Sequence, residues 1–221
     1  MIMNYEYMSK EDLMLLVRQK EHENMVNKLY LYIKGFAMNG DMKNTLKALA
    51  IAKELHEGQY RKSGIPYIVH PLKVAIELIG LGYKDDVLLA AALLHDVIED
   101  CNLPYNGKEF TTEYGLDEEV LEVVQLVTKQ KGLELSIYFN KIKNNRKALL
   151  VKIADRVHNI STMTGTFSKE KMKEYVDETY KYILPLCKYG KNYYPEDSNA
   201  ICMIKYHILS ICEVIEGFLS L

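Results

Sequence analysis

Apolar residues recur every three or four positions along almost the whole chain, and this helical periodicity constrains the fold more than any other feature. A clear example ends before Gly58 and runs through Leu46, Leu49, Ala52 and Leu55. No stretch alternates polar and apolar residues in the way that predicts a β-strand. The sequence therefore predicts an all-α fold, a helical bundle of about seven to nine helices.

Two predictions concern where helices begin and end. The apolar segment from Asp85 to about Cys101 predicts one continuous helix, buried on most sides. Pro71 predicts the first position of the preceding helix, because the amide at that position has no intrahelical partner. His70 then stands at the entrance of the helix, since a residue before proline is biased away from helical geometry.

The length of 221 residues fits one domain with an added arm. Glycine and proline mark its subdivisions, with Gly40 ending the first long helix and Pro195 separating the last two. We predict a helical arm over residues 1–40, a main domain over residues 41–190, and a C-terminal helix over residues 191–221 that packs on the same domain.

Composition excludes several classes of protein. The net charge of −2 argues against a nucleic-acid binder, and the longest apolar run, Val87 to Leu94, is far shorter than the ~20 residues of a membrane helix. The cysteines match no zinc-binding spacing and fit free thiols in a reducing compartment: Cys101, Cys187, Cys202 and Cys212. We therefore expect a cytoplasmic protein that binds neither nucleic acid nor membranes.

The segment AALLHDVIED combines an apolar helix with four ionisable residues. His95 and Asp96 follow the apolar run directly, and Glu99 and Asp100 come one turn later. On a continuous helix His95 lies over Glu99, and Asp96 lies over Asp100. Burying an ionised group without a partner costs about several kcal/mol. A bound metal cation would compensate them directly.

Two other segments supply further candidate ligands. His70 precedes Pro71, and Asp155, Asn159 and Thr162 form a polar stripe on a later helix. A mixed set of nitrogen and oxygen ligands, with room for water, would be supplied by His70, His95, Asp96 and Asp155. Such donors suit Mn²⁺, Fe²⁺ or Zn²⁺ better than ions that prefer thiols.

Four blocks of sequence, in this order, resemble one known family. They are HEGQYRKSGIPYIVHPLKVA (56–75), AALLHDVIED (91–100), LVTK (126–129) and VKIADRVHNISTM (151–163). The order of the histidines and aspartates resembles the HD-domain metal-dependent phosphohydrolases. The four blocks more closely resemble the hydrolase domain of the RelA/SpoT alarmone enzymes, over about residues 45–165. Too few residues follow the last block for a synthetase domain, so the small alarmone hydrolases are the nearer comparison.

The resemblance implies a role for each matching residue. One divalent ion, Mn²⁺ in this family, would be held by His70, His95, Asp96 and Asp155. Glu99 and Asp100 match the catalytic acidic pair, which orients the attacking water and takes its proton. The positions that contact the nucleotide correspond to Arg61, Lys62, Ser63, Asn159 and Thr162. His56 and His158 lie in the same blocks, and we expect them to support the site or to pack.

The family substrate is guanosine tetra- or pentaphosphate, (p)ppGpp. The resemblance implies loss of its 3′-diphosphate, which yields GDP or GTP and pyrophosphate. A multiply anionic substrate needs local cations in a chain of net charge −2. Arg61 and Lys62 supply them, with Lys152 and Arg156 as further candidates, and Arg61 can also stack on a base.

Two alternatives remain open from the sequence. The chain could be an HD phosphohydrolase for a different phosphorylated nucleotide, because the same metal and basic groups suit any phosphate ester. It could also be a non-catalytic nucleotide sensor, although a pure binder does not need the pair Glu99 and Asp100. The expected partner in each case is a small-molecule nucleotide, and the sequence does not indicate an oligomeric state.

Overall fold

Helices form most of the chain in the computed structural model, which describes residues 9–101 and 108–220. No β-strand occurs in these two ranges, and only an isolated bridge joins Tyr60 to Pro66. The all-α prediction is confirmed. The α-helices are α1 Lys10–Asn39, α2 Lys43–Leu55, α3 Val69–Gly80, α4 Asp86–Leu94, α5 Val97–Asp100, α6 Lys108–Thr112, α7 Glu118–Val127, α8 Leu135–Ile142, α9 Arg146–Ser161, α10 Lys169–Glu178, α11 Leu184–Tyr193 and α12 Ser198–Leu219.

The number of long helices agrees with the predicted range. A π-helical segment, Thr179–Ile183, joins α10 to α11 without a break, while α5 and α6 are single turns of four and five residues. When α10, the π-helical segment and α11 are counted as one helix, the described residues form nine helices of eight residues or more. Helix α8 was not predicted, because eight residues are too few to show a helical period.

Helix α4 lies at the centre of the bundle and is in contact with α2, α3, α7 and α9. Its residues from Leu88 to Leu94 are fully buried. The Asp85 carboxylate caps its start by accepting a hydrogen bond from the Leu88 amide at 2.9 Å. Asp86 ties it to α2, because its carboxylate accepts the backbone amide of Thr45 at 2.7 Å. This central helix leads directly to the first pair of candidate site residues.

The predicted continuous helix over residues 85–101 is wrong. Helix α4 ends at Leu94, a turn holds His95 and Asp96, and the short helix α5 follows. Nδ1 of His95 is 2.8 Å from the carbonyl oxygen of Ala92, a group of the last turn. A side chain can satisfy the carbonyls that a helix end leaves without partners, and the break directs His95 and Asp96 to a common point.

The predicted start of α3 is also wrong in detail. The helix begins at Val69, so His70 lies in its first turn and Pro71 is its third residue. The amide of His70 donates to the Tyr67 carbonyl at 2.9 Å. Proline is tolerated anywhere in a first turn whose amides lack intrahelical acceptors, which explains the shift.

The two ends of the chain pack on the central helices. Helix α1 contacts α2 and α3 and buries Ile33 and Ala37. Helix α12 packs against α9 and α11, and Asp197 just before it binds Arg146 at the start of α9 through two contacts of 2.6 Å. None of the helices in the described ranges is long and apolar enough to cross a membrane. The division into arm, main domain and C-terminal helix stays a prediction.

Candidate active site

The side chains of His70, His95, Asp96 and Asp155 meet at one point inside the bundle. Nε2 of His70, on α3, is 3.1 Å from Oδ1 of Asp155 on α9 and 3.2 Å from Oδ2 of Asp96. It is also 3.1 Å from Nε2 of His95. The cluster is enclosed, with His70 and Asp155 almost fully buried. The structure therefore brings together all four residues that the sequence singled out as ligands.

The spacing of these atoms fits a cation between them. Nε2 of His95 is 3.3 Å from Oδ1 of Asp96 and 3.5 Å from Oδ1 of Asp155. Ligands that each lie about 2.1 Å from a metal ion are separated by roughly 3.0 to 3.4 Å at octahedral or tetrahedral angles. His70, His95 and Asp155 together form a group of buried donors able to hold a metal ion.

The hydrogen bonds of the two rings also fit a cation. Nδ1 of His95 faces a carbonyl oxygen and must donate, so in the neutral ring its Nε2 carries a lone pair. Nδ1 of His70 lies 2.6 Å from Nδ1 of His158. When His70 donates this proton, its Nε2 also carries a lone pair. Two bare nitrogens and two carboxylates then face each other in a buried space, which requires a positive charge between them.

The pKa shifts of these groups also indicate that a positive charge is needed between them. Burial opposes the charged form of His95, but the carboxylates of Asp96 and Asp155 outweigh it and raise the pKa of His95 well above its usual range. Burial likewise opposes ionisation of Asp155. The Lys152 ammonium, 3.0 Å from its Oδ2, and the two histidine rings nevertheless hold the pKa of that carboxyl well below its usual range. Either a proton or a metal ion can supply this positive charge.

A cavity of about 400 Å³ lies next to this cluster. It is lined by Tyr60, Arg61, Lys62, Ser63, Tyr67, Asp100, Asn159, Thr162, Met163, Thr166, Phe167 and Tyr175. All five residues predicted to contact a nucleotide are among them. The ammonium of Lys62 lies 5.1 Å from the centre of the Phe167 ring. The wall thus combines cationic groups with several aromatic rings, as a site for an anionic nucleotide requires.

Arg61 connects the predicted nucleotide contacts to each other. Its Nη2 donates to Oδ1 of Asn159 at 2.8 Å, and its Nη1 donates to the Thr162 hydroxyl at 3.4 Å. Nη1 also lies 3.3 Å from Nδ1 of His158. Burial, with neighbouring His70 and Arg61, lowers the pKa of His158 to about 3, so this ring is neutral and accepts.

The two residues of the predicted acidic pair point in different directions. Asp100 lines the cavity and accepts a hydrogen bond from the Tyr67 hydroxyl. Glu99 does not line that cavity; its carboxylate accepts the backbone amide of Lys129. Burial raises the pKa of Glu99 above its ordinary value. Proximity to the cluster is therefore clearest for Asp100, because the hydroxyl of its partner Tyr67 also lies 2.8 Å from Oδ2 of Asp96.

Tyr67 is the main site residue that sequence reasoning missed. Its ring stacks on His56 at 4.8 Å between centroids, and its hydroxyl joins the cluster to the cavity. Its position three residues before His70, in the block that resembles the family motif, was the available signal. Arg156, a candidate cation for the substrate, is instead paired within the fold, because its guanidinium binds the Glu178 carboxylate and its side chain is 5% exposed.

The family profile of the HD domain matches residues 48–186, well over half of the chain, so this protein belongs to the HD domain family. The resemblance to the RelA/SpoT hydrolases is confirmed by relatives named guanosine-3′,5′-bis(diphosphate) 3′-pyrophosphohydrolase. The Borreliella burgdorferi protein is 36% identical over 137 residues, covering 56% of this chain and 20% of the relative. The Haemophilus influenzae protein is 37% identical over 147 residues, covering 62% and 21%. The chain thus spans about a fifth of the length of these relatives.

A solved structure shows the same fold. It is that of a metazoan ortholog of SpoT, with a TM-score of 0.60 and 22% sequence identity. The match covers 76% of this chain and 93% of the other. At this identity the comparison supports the helical architecture.

Proposed function

We propose that this protein is a Mn²⁺-dependent hydrolase that removes the 3′-diphosphate of (p)ppGpp, giving GDP or GTP and pyrophosphate. The observation that carries the proposal is the shared wall between the His–Asp cluster and the nucleotide-sized cavity, formed by Tyr67, Asp100 and Asn159. The names of the relatives support this substrate, as does the metazoan ortholog of SpoT, which is described as hydrolysing ppGpp.

In this proposal the metal ion is held by His70, His95, Asp96 and Asp155, and its mixed nitrogen and oxygen donors suit Mn²⁺. A bound divalent ion would polarise a phosphoryl oxygen and lower the pKa of water towards ~7. Asn159 and Lys152 keep the Asp155 carboxylate in place, at 2.6 Å and 3.0 Å. The protein thereby holds the donors ready before substrate arrives.

The cavity residues would bind and orient the nucleotide. Arg61 and Lys62 place two positive charges on a wall that must receive several phosphates. Phe167 and Tyr175, which meet edge to face at 5.5 Å, offer aromatic surface for the base. Ser63 and Thr162 add hydroxyl groups at the same wall. In the proposed complex the 3′-diphosphate would face Asp100, the lining residue that is joined to the cluster through Tyr67.

The proposed reaction transfers the diphosphate from the ribose to water. The water oxygen forms a new bond to phosphorus while the ester bond to the 3′ oxygen breaks. The water proton passes to a carboxylate of the acidic pair, of which Asp100 lines the cavity. That proton is then returned to the 3′ oxygen, which leaves as a hydroxyl. Acid–base assistance of this kind contributes about 10²–10⁴-fold to a rate.

A nucleotide panel with Mn²⁺ tests the proposal. Purified protein is incubated with ppGpp, pppGpp, and nucleotides bearing single 2′- or 3′-phosphates, and products are separated by anion-exchange chromatography. Release of pyrophosphate and GDP from ppGpp is the expected result. Orthophosphate from another nucleotide would favour a different HD phosphohydrolase. Binding of ppGpp without any product would favour a nucleotide sensor.

We also propose that this activity takes place in the cytoplasm on a small-molecule substrate, without nucleic acid or membrane as a partner. The four cysteines are free thiols, which is typical of a reducing compartment. A thiol-reactive probe applied to intact cells and to lysates would measure whether they are reduced in place. Extensive disulfide formation in cells would contradict this location.

A further inference from the structure

The guanidinium of Arg61 contacts Thr162 and three further residues, and each of those three touches a different residue of the His–Asp cluster. Nη1 donates to Nδ1 of His158 at 3.3 Å, and Nη2 donates to Asn159 at 2.8 Å. The guanidinium carbon also lies 5.5 Å from the centre of the Tyr67 ring. Arg61 is on the loop between α2 and α3, so these contacts join that loop to α9.

Each contact continues to one cluster residue. His158 bonds to His70 at 2.6 Å between the two Nδ1 atoms, and Asn159 donates to Oδ1 of Asp155 at 2.6 Å. The Tyr67 hydroxyl donates to Oδ2 of Asp96 at 2.8 Å. Only His95 is held independently, by the Ala92 carbonyl. Three of the four proposed ligands are thus connected to Arg61 through one intervening side chain.

His158 uses Nδ1 for these contacts and leaves its other nitrogen, Nε2, without a hydrogen bond to the described residues. A guanidinium can only donate, so Nδ1 of His158 must be an acceptor. The proton of the neutral ring is then on Nε2, which is buried without a partner among the described residues. The ring therefore has its satisfied polar atom directed at Arg61 and His70.

We propose that Arg61 is a positioning residue for the metal centre, and that it couples metal binding to occupancy of the nucleotide cavity. Outer partners of metal ligands fix the direction of each donor. A nucleotide that contacts Arg61 would act on the same three connections. The proposal rests on the metal-binding part of the proposed function and is independent of which nucleotide is hydrolysed.

Simple electrostatics predicts a change in Mn²⁺ affinity of the opposite sign, so the measurement separates the two explanations. Removing a positive charge near a cation site should tighten cation binding. If Arg61 positions the ligands, Arg61→Met should instead weaken Mn²⁺ binding by about 10- to 100-fold. The affinity is measured by competition with a fluorescent chelator, with no nucleotide present. Lys62→Met is the matched control, because it removes a charge from the adjacent residue, which contacts the Phe167 ring rather than these connections.

Arg61→Met binding Mn²⁺ as tightly as Lys62→Met, or more tightly, would overturn the proposal. Arg61→Lys provides a second variant that keeps the charge and loses the planar fork, and we expect it to weaken Mn²⁺ binding as well. Circular dichroism and the melting temperature of the metal-free protein confirm that each variant folds. A variant that does not fold is replaced by the other in the same comparison.

A double-variant cycle tests the route through His158. His158→Leu should weaken Mn²⁺ binding, and adding Arg61→Met should cost less than the sum of the two single effects. His158→Asn, whose amide oxygen can occupy the place of Nδ1, should restore much of the affinity. Strict additivity would remove His158 from the route. Because no turnover is measured, failure of these tests leaves the proposed hydrolysis intact, and failure of hydrolysis leaves these tests valid.

Discussion

The hydroxyl of Tyr67 lies 2.8 Å from Oδ2 of Asp96, and it also contacts the carboxylate of Asp100. One residue therefore joins a proposed metal ligand to a proposed catalytic carboxylate. A hydroxyl has one proton and can donate to one carboxylate at a time. Burial and the charge of Asp96 raise the pKa of Tyr67, so this proton is retained at neutral pH.

Tyr67→Phe should lower kcat for ppGpp by about 10- to 100-fold, the range equivalent to one hydrogen bond to a charged group. The ring and its stacking on His56 are kept, so the fold should be unaffected. Steady-state kinetics at saturating Mn²⁺ measures the effect. Tyr193→Phe, at an exposed tyrosine of α11, is the control and should behave as the wild type. An unchanged kcat in Tyr67→Phe would remove the hydroxyl from the reaction.

Asp96→Ala should abolish stoichiometric metal binding, because it removes one of four converging donors. Elemental analysis after dialysis against trace Mn²⁺ checks this. Asp177→Ala, an exposed aspartate on α10, should retain the metal content of the wild type. One metal ion per chain in Asp96→Ala would show that the ligand set is wrong.

Glu99→Gln and Asp100→Asn should each keep metal and fold while kcat falls by about 10²–10⁴-fold. The two variants remove ionisable oxygens and preserve side-chain size. Because Glu99 faces the Lys129 amide and Asp100 lines the cavity, we expect the greater loss in Asp100→Asn. Rates like those of the wild type in both variants would show that the two carboxylates have no role in turnover.

Asp197→Ala should destabilise the fold by about 2–3 kcal/mol, somewhat below the loss for a fully buried ion pair, since Arg146 is partly exposed. The change leaves Arg146 and the Tyr83 hydroxyl without their shared acceptor. Urea unfolding followed by circular dichroism gives the free energy. Asp177→Ala, which breaks an exposed pair with Lys173, should cost less than about 0.5 kcal/mol. Equal losses would mean that α12 is held mainly by apolar contacts.

The sequence predicted the all-α fold, because helical periodicity is a local pattern. It singled out the four donors through motifs that resemble a known family, although His70 and Asp155 are far from His95 and Asp96 in the chain. The break after Leu94 was not predictable from periodicity, since Val97 and Ile98 continue the apolar pattern across it. The aromatic wall of the cavity was also missed. Phe167 and Tyr175 lie outside the motifs, and only tertiary packing brings them to the same cavity as Lys62.

The same limit applies to the contacts of Arg61. Its partners His158 and Asn159 are almost a hundred residues away in the chain. Their resemblance to family motifs indicated that each belongs to the site. The pairing of donors and acceptors between them follows from the docking of α9 beside the loop before α3, which no local pattern encodes.

The turn at His95 and Asp96 has a consequence for folding. Two donors are adjacent in the chain, but the other two reach them only when α3 and α9 have docked against α4. An ion bound there would bind the native state in preference to the unfolded chain. At a hundred times its dissociation constant it would add about 2.7 kcal/mol to the free energy of unfolding. The supply of metal would then govern how long the chain survives heat and proteases, as well as how fast it works.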